Sequence, residues 1–255
     1  MTASIHLDVV AGVALCAGAW TGAWLARGAR PRRSEVSAFA GGLVLLLFAL
    51  NGPLHELSDR YLFSAHMVQH LVLTLLVPPL LLTGTPAWMI DALLRRVRLV
   101  AIARVLTRPA AALGLYAAAL IGWHLPGPFG RALDVHGWHI VEHLTLMATS
   151  ALAWWPVLGR SILAPRLHYA AQILYLFAFG LPMTAVAAMI TGAETLLYPF
   201  YASAPRILPL TPLADQRLGG VIMWVPAGLV PLVAFTVVFF RWSAAEPDRD
   251  EIALI

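Results

Sequence analysis

Long apolar segments determine what this chain can fold into. The sequence contains seven of them, each 17 to 23 residues long. The hydrocarbon core of a bilayer requires about 20 apolar residues per helix, and a chain with 60% hydrophobic and 12% charged residues is too apolar for a soluble domain. We therefore predict an all-α fold, a bundle of seven transmembrane helices in one integral membrane domain over residues 1–255. The predicted spans are 5–26, 36–54, 64–83, 109–125, 136–158, 168–190 and 218–240.

The distribution of arginine predicts the orientation of these spans. All seventeen basic residues are arginine, and thirteen of them fall in connections on one side of the predicted membrane, against four on the other. The positive-inside rule places the larger group in the cytoplasm, so we expect the N-terminus outside and the C-terminus inside. The first segment has no basic start, which favours a span over a cleaved signal peptide. The basic pI of 9.7 then reflects contact with anionic membrane lipids rather than nucleic acid.

Two stretches of nearly the same sequence place histidine pairs inside apolar segments. These are HMVQHL at 66–71 and HIVEHL at 139–144. Residues four apart share one face of a helix, and both segments are predicted to run in the same direction, so the pairs are expected to face one another. Polar groups inside spans are costly and are usually functional. The predicted metal ligands are His66, His70, His124, His136, His139 and His143. The alternative is a set of interfacial histidines that bond to backbone or water.

Other polar and sulfur-containing side chains are predicted to assist this site. Gln69 and Glu142 hold the same place in each pair, where a side chain can fix a ligand ring through its free N–H; structural bonding between helices is the alternative. Imidazole suits zinc, copper, iron and nickel, whereas thioether ligands favour Cu(I). The predicted auxiliary residues are Gln69, Glu142, Met147, Met183, Asp215 and Met223.

Proline, glycine and cysteine add three expectations. The Pro78–Pro79 doublet is expected to kink or end the third helix near its inner end, and the Gly219–Gly220 pair to allow close helix packing. The proline-rich connection at 195–216 is expected to cap the outer mouth of the bundle. The single cysteine, Cys16, excludes an intrachain disulfide and a thiolate-rich metal site.

Four motifs between residues 50 and 232 are distinctive in combination. They are HMVQH at 66–70 followed by VPPLLLTGTP, WHLP at 123–126, HIVEH at 139–143 and DQRLGGVIMWVPAG at 215–228. On these motifs the chain resembles the multi-span CtaG family of bacterial proteins, which are linked to assembly of caa-type cytochrome c oxidase. The pattern does not extend to His136, whose inclusion rests on spacing alone.

The resemblance implies a role in maturing the copper centres of a respiratory oxidase. It implies copper as the bound metal, oxidase subunits or another copper chaperone as partners, and a multi-pass location in the bacterial cytoplasmic (inner) membrane. It also implies that the protein is not an enzyme. Three alternatives remain open at this point: a haem protein with bis-histidine ligation, a membrane di-iron oxygenase, and a copper transporter.

Overall fold

A computed structural model of the chain describes residues 6–245, and within that range it is entirely helical with short connections. The all-α prediction is confirmed. Arg249, counted above among the inner arginines, lies outside the described residues. The helices are α1 (Leu7–Arg27), α2 (Arg33–Leu50), α3 (Pro53–Arg60), α4 (Phe63–Leu71), a π-helical segment (Val72–Leu76), α5 (Val77–Gly84), α6 (Ala87–Arg96), α7 (Val100–Leu106), α8 (Pro109–His124), α9 (Pro126–Asp134), α10 (His136–Leu158), α11 (Tyr169–Gly192), α12 (Phe200–Ser203) and α13 (Pro212–Ala245).

Within the part of the chain that the structure describes, five helices are long and apolar enough to cross a membrane. They are α1, α2, the continuous Phe63–Gly84 helix, α11 and α13. A sixth results if α7 and α8, which meet at a bend of 73°, are taken together. The fifth predicted span coincides with α10, which is long enough, but Glu142 and the histidines reduce its hydropathy. The fourth corresponds to α8, whose 16 residues are too few alone.

The order of the helices divides the bundle into two ends. At one end, which we call the histidine end, α4, α10 and α13 begin, and α2, α8 and α11 end. The first described residue belongs here too, because the backbone N–H of His6 donates to Asn51 Oδ1 at 2.7 Å. At the opposite end, Arg160 pairs with Glu35 at 3.1 Å and donates to the carbonyl of Thr83. His168, exposed before α11, lies at this opposite end.

The Pro78–Pro79 doublet does not end the third predicted helix. Pro78 has no N–H to give to the carbonyl four residues earlier, that of Thr74. The π-helical segment accommodates the mismatch, and the helix continues to Gly84. The freed carbonyl of Thr74 instead accepts bonds from two side chains of α10, the Ser150 hydroxyl and Trp154 Nε1, the latter at 3.1 Å. A backbone group that proline leaves unpaired thus joins the π-helical segment to α10.

The first turn of α13 holds the start of α4. The Asp215 carboxylate accepts bonds from the backbone N–H groups of Phe63 at 2.7 Å and Ser64 at 3.3 Å, and from the Ser64 hydroxyl at 2.5 Å. A carboxylate at a helix N-terminus satisfies donors that have no partner within the helix. One turn later, a Cβ on Gly219 would lie 2.6 Å from Phe63 Cε1, so this close packing requires glycine there. The structure therefore confirms the packing predicted for the glycine pair.

Candidate metal centre

Three helices bring histidines into one buried region of the histidine end. On α4 and on α10 the spacing of four turns both rings of each pair to the same face, and these two faces meet in the bundle. The end of α8 adds a fifth ring beside them. The buried residues are His66 and His70 on α4, His139, Glu142 and His143 on α10, and His124 on α8. We call these six residues the buried cluster.

Four members of the buried cluster converge on one point. One ligand atom from each of His66, His139, Glu142 and His143 lies within 4.8 Å of every other. The ring centroids of His139 and His143 are 4.3 Å apart, and the His66 centroid lies 5.4 Å from His139 and 5.9 Å from His143. The two sequence pairs therefore face one another as the spacing predicts.

His70 and His124 extend this group on one side. His70 Nε2 lies 2.9 Å from His66 Nε2, and the His70 ring is 5.3 Å from that of His124. The Nδ1 atom of His124 lies 2.7 Å from the carbonyl of Leu120, so Nδ1 carries the proton and donates. The Nε2 atom of His124 then has a free lone pair in a side chain that is 0% exposed.

The buried cluster contains a concentration of polar atoms that have no hydrogen-bond partner among residues 6–245. Buried polar groups are normally paired, because an unpaired one costs about 1–3 kcal/mol. Here six such atoms belong to the cluster: His70 Nδ1, Nε2 of His124, His139 and His143, and both carboxylate oxygens of Glu142. Imidazole nitrogen and carboxylate oxygen are metal donors. Their number and convergence fit a metal ion that would supply the missing partner.

Glu142 lies among the donors rather than behind them. Its Oε1 is 3.6 Å from His70 Nε2 and its Oε2 is 4.0 Å from His66 Nε2. The side chain is fully buried. The predicted auxiliary role was to hold a ligand ring by its second nitrogen, whereas this position makes Glu142 a candidate ligand and a source of compensating charge.

Asp59 on α3 is placed to orient a ligand ring, the role predicted for Gln69 and Glu142. The sequence analysis did not predict Asp59. Its Oδ2 lies 3.5 Å from His139 Nδ1 and 3.3 Å from His55 Nε2. A proton on His139 Nδ1 is attracted to this carboxylate, which leaves the lone pair on Nε2, toward the cluster. Burial raises the pKa of Asp59 to about 7, although the Ser58 hydrogen bond and the charge of Arg60 act to lower it. Its spacing of four from His55 was the available signal.

Gln69 does not contact the rings of the buried cluster through a hydrogen bond. Its amide nitrogen donates to the carbonyl of Ala49 at 2.8 Å and lies 3.0 Å from His55 Nδ1. Gln69 and Asp59 together hold the His55 ring from both sides. Burial lowers the pKa of His55 to about 4, with the charges of His6 and His136 acting in the same direction and that of Asp8 opposing them. His55 is therefore neutral at physiological pH.

The proline-rich connection between α11 and α13 covers the buried cluster, as its composition predicts. The Tyr201 hydroxyl donates to the carbonyl of Ser58 at 2.7 Å and lies 3.3 Å from His66 Nδ1. The Tyr198 hydroxyl donates to the carbonyl of His124 at 2.8 Å. Burial raises the pKa of both tyrosines, so both hydroxyls keep their protons and act as donors.

Comparison with known proteins places this chain in a family. Residues 18–245 match the family described as cytochrome c oxidase caa3 assembly factor, Caa3_CtaG. The chain belongs to this family. The resemblance predicted from the four motifs is thereby confirmed over most of the sequence.

The chain is also similar to three mycobacterial proteins, each named only as uncharacterized. Those of Mycobacterium bovis and Mycobacterium tuberculosis are 25% identical over 234 residues, covering 83% of this chain and 34% of each relative. The protein of Mycobacterium leprae is 23% identical over 233 residues, with coverages of 81% and 34%. The chain thus spans about a third of the length of the curated relatives it matches. No solved structure matches it.

In this member of the Caa3_CtaG family, several predicted site residues lie apart from the buried cluster. His136 is exposed, and its ring lies 6.2 Å from that of His6. Met147 lines a cavity next to His139 and His143. The remaining residues predicted to assist the site have structural surroundings: Met183 and Met223 pack in the hydrophobic core, and Asp215 binds the start of α4.

Proposed function

We propose that this chain is a copper-binding membrane factor that helps to mature the copper centres of a respiratory cytochrome c oxidase. The observation that carries the proposal is the convergence of histidine nitrogens and a carboxylate, buried and without hydrogen-bond partners, between α4, α8 and α10. An assembly role is known for the family. The family's assembly role supports binding and delivery of the ion rather than catalysis.

Two considerations together favour copper as the ion. Imidazole-rich sites accept zinc, copper, iron and nickel, so the donor set alone leaves the metal open. The family, however, serves cytochrome c oxidase, an enzyme that requires copper. In the proposed site, His66, His139 and His143 supply nitrogen donors and Glu142 supplies negative charge. His70 and His124 provide further nitrogens to which the ion can pass before release to a partner, such as an oxidase subunit or a second copper chaperone.

A separate observation argues against each of the three rival functions. A porphyrin supplies four equatorial nitrogens and needs one axial histidine on each face, whereas here four ligand atoms lie within 4.8 Å of one another. A membrane di-iron oxygenase uses histidine-rich boxes, and this sequence contains no His-His doublet. A transporter needs sites along its path, and the cluster occupies one end of the bundle.

Metal analysis of the purified chain, together with its visible spectrum, tests the proposal. We expect copper to be retained through purification and the spectrum to lack an intense Soret band. His143→Ala should lose this copper, and His168→Ala, at the opposite end, should retain it as the matched control. Oxidase activity in cells complemented with each variant should follow the same order. A haem spectrum, or copper that persists unchanged in His143→Ala, would refute the proposed site.

We further propose that the chain crosses the bacterial cytoplasmic membrane seven times with the histidine end outside. The arginine distribution supports this orientation. In this proposal α8 and α10 are added to the five clearly apolar helices, which gives seven spans. A cytoplasmic reporter fused after residue 255 is expected to be active, and a periplasmic one inactive. The opposite result would place the cluster on the cytoplasmic side.

A further inference from the structure

A cavity connects the buried cluster with the surface at the histidine end. Its volume is about 290 Å³, and it lies between α1, α2 and α10. We call it the lateral cavity. His139 and His143 of the buried cluster line its inner part, and His6, Asp8, His55 and His136 line it as well. The same space therefore borders both the candidate ligands and a second group of histidines that the proposed function does not use.

This second group is accessible where the first is not. His136 is exposed and His6 is partly exposed, while His66 and His124 are 0% exposed. Among the described residues, neither the His6 ring nor the His136 ring has a hydrogen-bond partner within the protein. The backbone N–H of His6 is nevertheless fixed by Asn51, which holds the start of α1 against the end of α2. Two rings with free nitrogens are thus held next to one another at the surface.

The spacing of the rings matches that of ligands sharing an ion. A ring nitrogen about 2.1 Å from a metal places the ring centroid roughly 3.2 Å from it, so two such rings at angles from 90° to 180° have centroids about 4.5 to 6.4 Å apart. The His136–His6 distance is 6.2 Å, the His6–His55 distance is 4.5 Å and the His55–His139 distance is 5.9 Å. Each consecutive pair falls within that range.

We propose that His6 and His136 form a copper-capture site at the mouth of the lateral cavity, and that the ion passes from it along the lateral cavity to His139 in the buried cluster. This inference rests on the proposed function and adds the route by which the site is filled. Each transfer is an exchange of one imidazole nitrogen for the next on the same ion, without change of oxidation state. Asp59 contacts both His55 and His139, so a carboxylate lies beside the path by which the ion leaves the surface group.

Two neighbours of the proposed route favour a cation. Asp8 lines the lateral cavity beside His6, and Asp59 lies between the third and fourth rings of the series. A carboxylate at each position attracts a positive ion and disfavours an anion. The capture site itself has only two ring nitrogens, fewer than the buried cluster offers, so the ion is held less tightly at the surface and moves inward.

Copper uptake by the full chain tests this route. The variant is the double substitution His6→Ala and His136→Ala, which changes only accessible side chains, and the matched control is His168→Ala, an exposed histidine at the opposite end. The probe is cuprous ion supplied as the complex of a chromogenic bidentate chelator. Its loss of colour gives the uptake rate by stopped flow and the number and affinity of bound ions by titration.

We expect the wild type and His168→Ala to bind one ion tightly and a second weakly. The double variant should keep the tight ion with unchanged affinity, lose the weak one, and fill the tight site at least about tenfold more slowly, because a neighbouring ligand raises the local concentration of the ion. Equal rates and stoichiometries in the double variant and the wild type would overturn the capture site while leaving the buried site intact. A wild type that binds no copper would overturn the proposed function itself.

Discussion

Substitution of Glu142 by glutamine separates the charge of the buried cluster from its shape. Glutamine has nearly the same size as glutamate and keeps one oxygen, but it removes the negative charge. The Glu142 oxygens lie 3.6 Å and 4.0 Å from the Nε2 atoms of His70 and His66. The charge is therefore removed from within about 4 Å of the nitrogens proposed to bind the ion.

The expected loss of affinity follows from these distances. Two unit charges about 4 Å apart interact with about 4 kcal/mol at an effective dielectric constant of 20. Since each 1.4 kcal/mol is about a tenfold change in the dissociation constant, E142Q should weaken copper binding by about a thousandfold. The metal-free protein should not be destabilised, because neither Glu142 oxygen has a hydrogen-bond partner to lose.

Two measurements on the purified variant check both parts. Competition with a chromogenic copper chelator gives the affinity, and thermal unfolding of the metal-free protein in detergent gives the stability. Glu35→Gln is the matched control, because Glu35 is also a buried glutamate but lies at the opposite end, paired with Arg160. E35Q should bind copper normally and lose some stability. Unchanged copper affinity in E142Q would refute the assignment of Glu142, and a large loss of metal-free stability would indicate a structural role instead.

Three further predictions concern the ligands, the support of α4 and the effect of pH. His66→Ala and His143→Ala should each abolish tight copper binding, and combining them should weaken binding little further, because ligands of one ion act together; titration of the three proteins with copper decides this. Asp215→Ala should lower the free energy of unfolding by about 2–4 kcal/mol, because it leaves the N–H groups of Phe63 and Ser64 without a partner, and Asp215→Asn should lower it less. Bound copper should be released as the pH falls below about 6, since protons compete for imidazole; metal analysis after dialysis at each pH would contradict this if copper persisted at pH 4.

The helices were largely predictable, and the reason is their composition. The two ends of an apolar run long enough for a bilayer indicate where the helix begins and ends. The predicted segment 136–158 therefore coincides with α10, and the predicted segment 64–83 falls within Phe63–Gly84. The short helices α3 and α9 were not foreseen. Each is only eight or nine residues long and begins at a proline, and such short polar helices form through tertiary contacts rather than through a periodic apolar face.

The same contrast applies to the candidate site. The spacing of four predicted which rings share a face, because that is a local property of a helix. The spacing also suggested His136 as a partner of His139, but the side chain at the very start of α10 is exposed instead. Tyr201 was missed because it reaches the cluster through contacts that are distant in sequence. The contact of Asp59 with His139 is also distant, and its spacing of four from His55 was the one local signal. The bond from Tyr201 to Ser58, for example, joins residues 143 positions apart, and a single sequence holds no local sign of such a contact.

The carbonyl of Thr74 also governs how far along its axis α10 can slide. It is available only because Pro78 gives it no helical partner, and two side chains of α10, Ser150 and Trp154, converge on it. A displacement of α10 by one turn, about 5.4 Å, would break both bonds and leave the carbonyl unpaired inside the bundle. That penalty fixes the position along the helix axis of the histidines on α10 relative to those on α4. Pro78, about two turns along the helix from His70, thus fixes the axial position at which the two histidine pairs face one another.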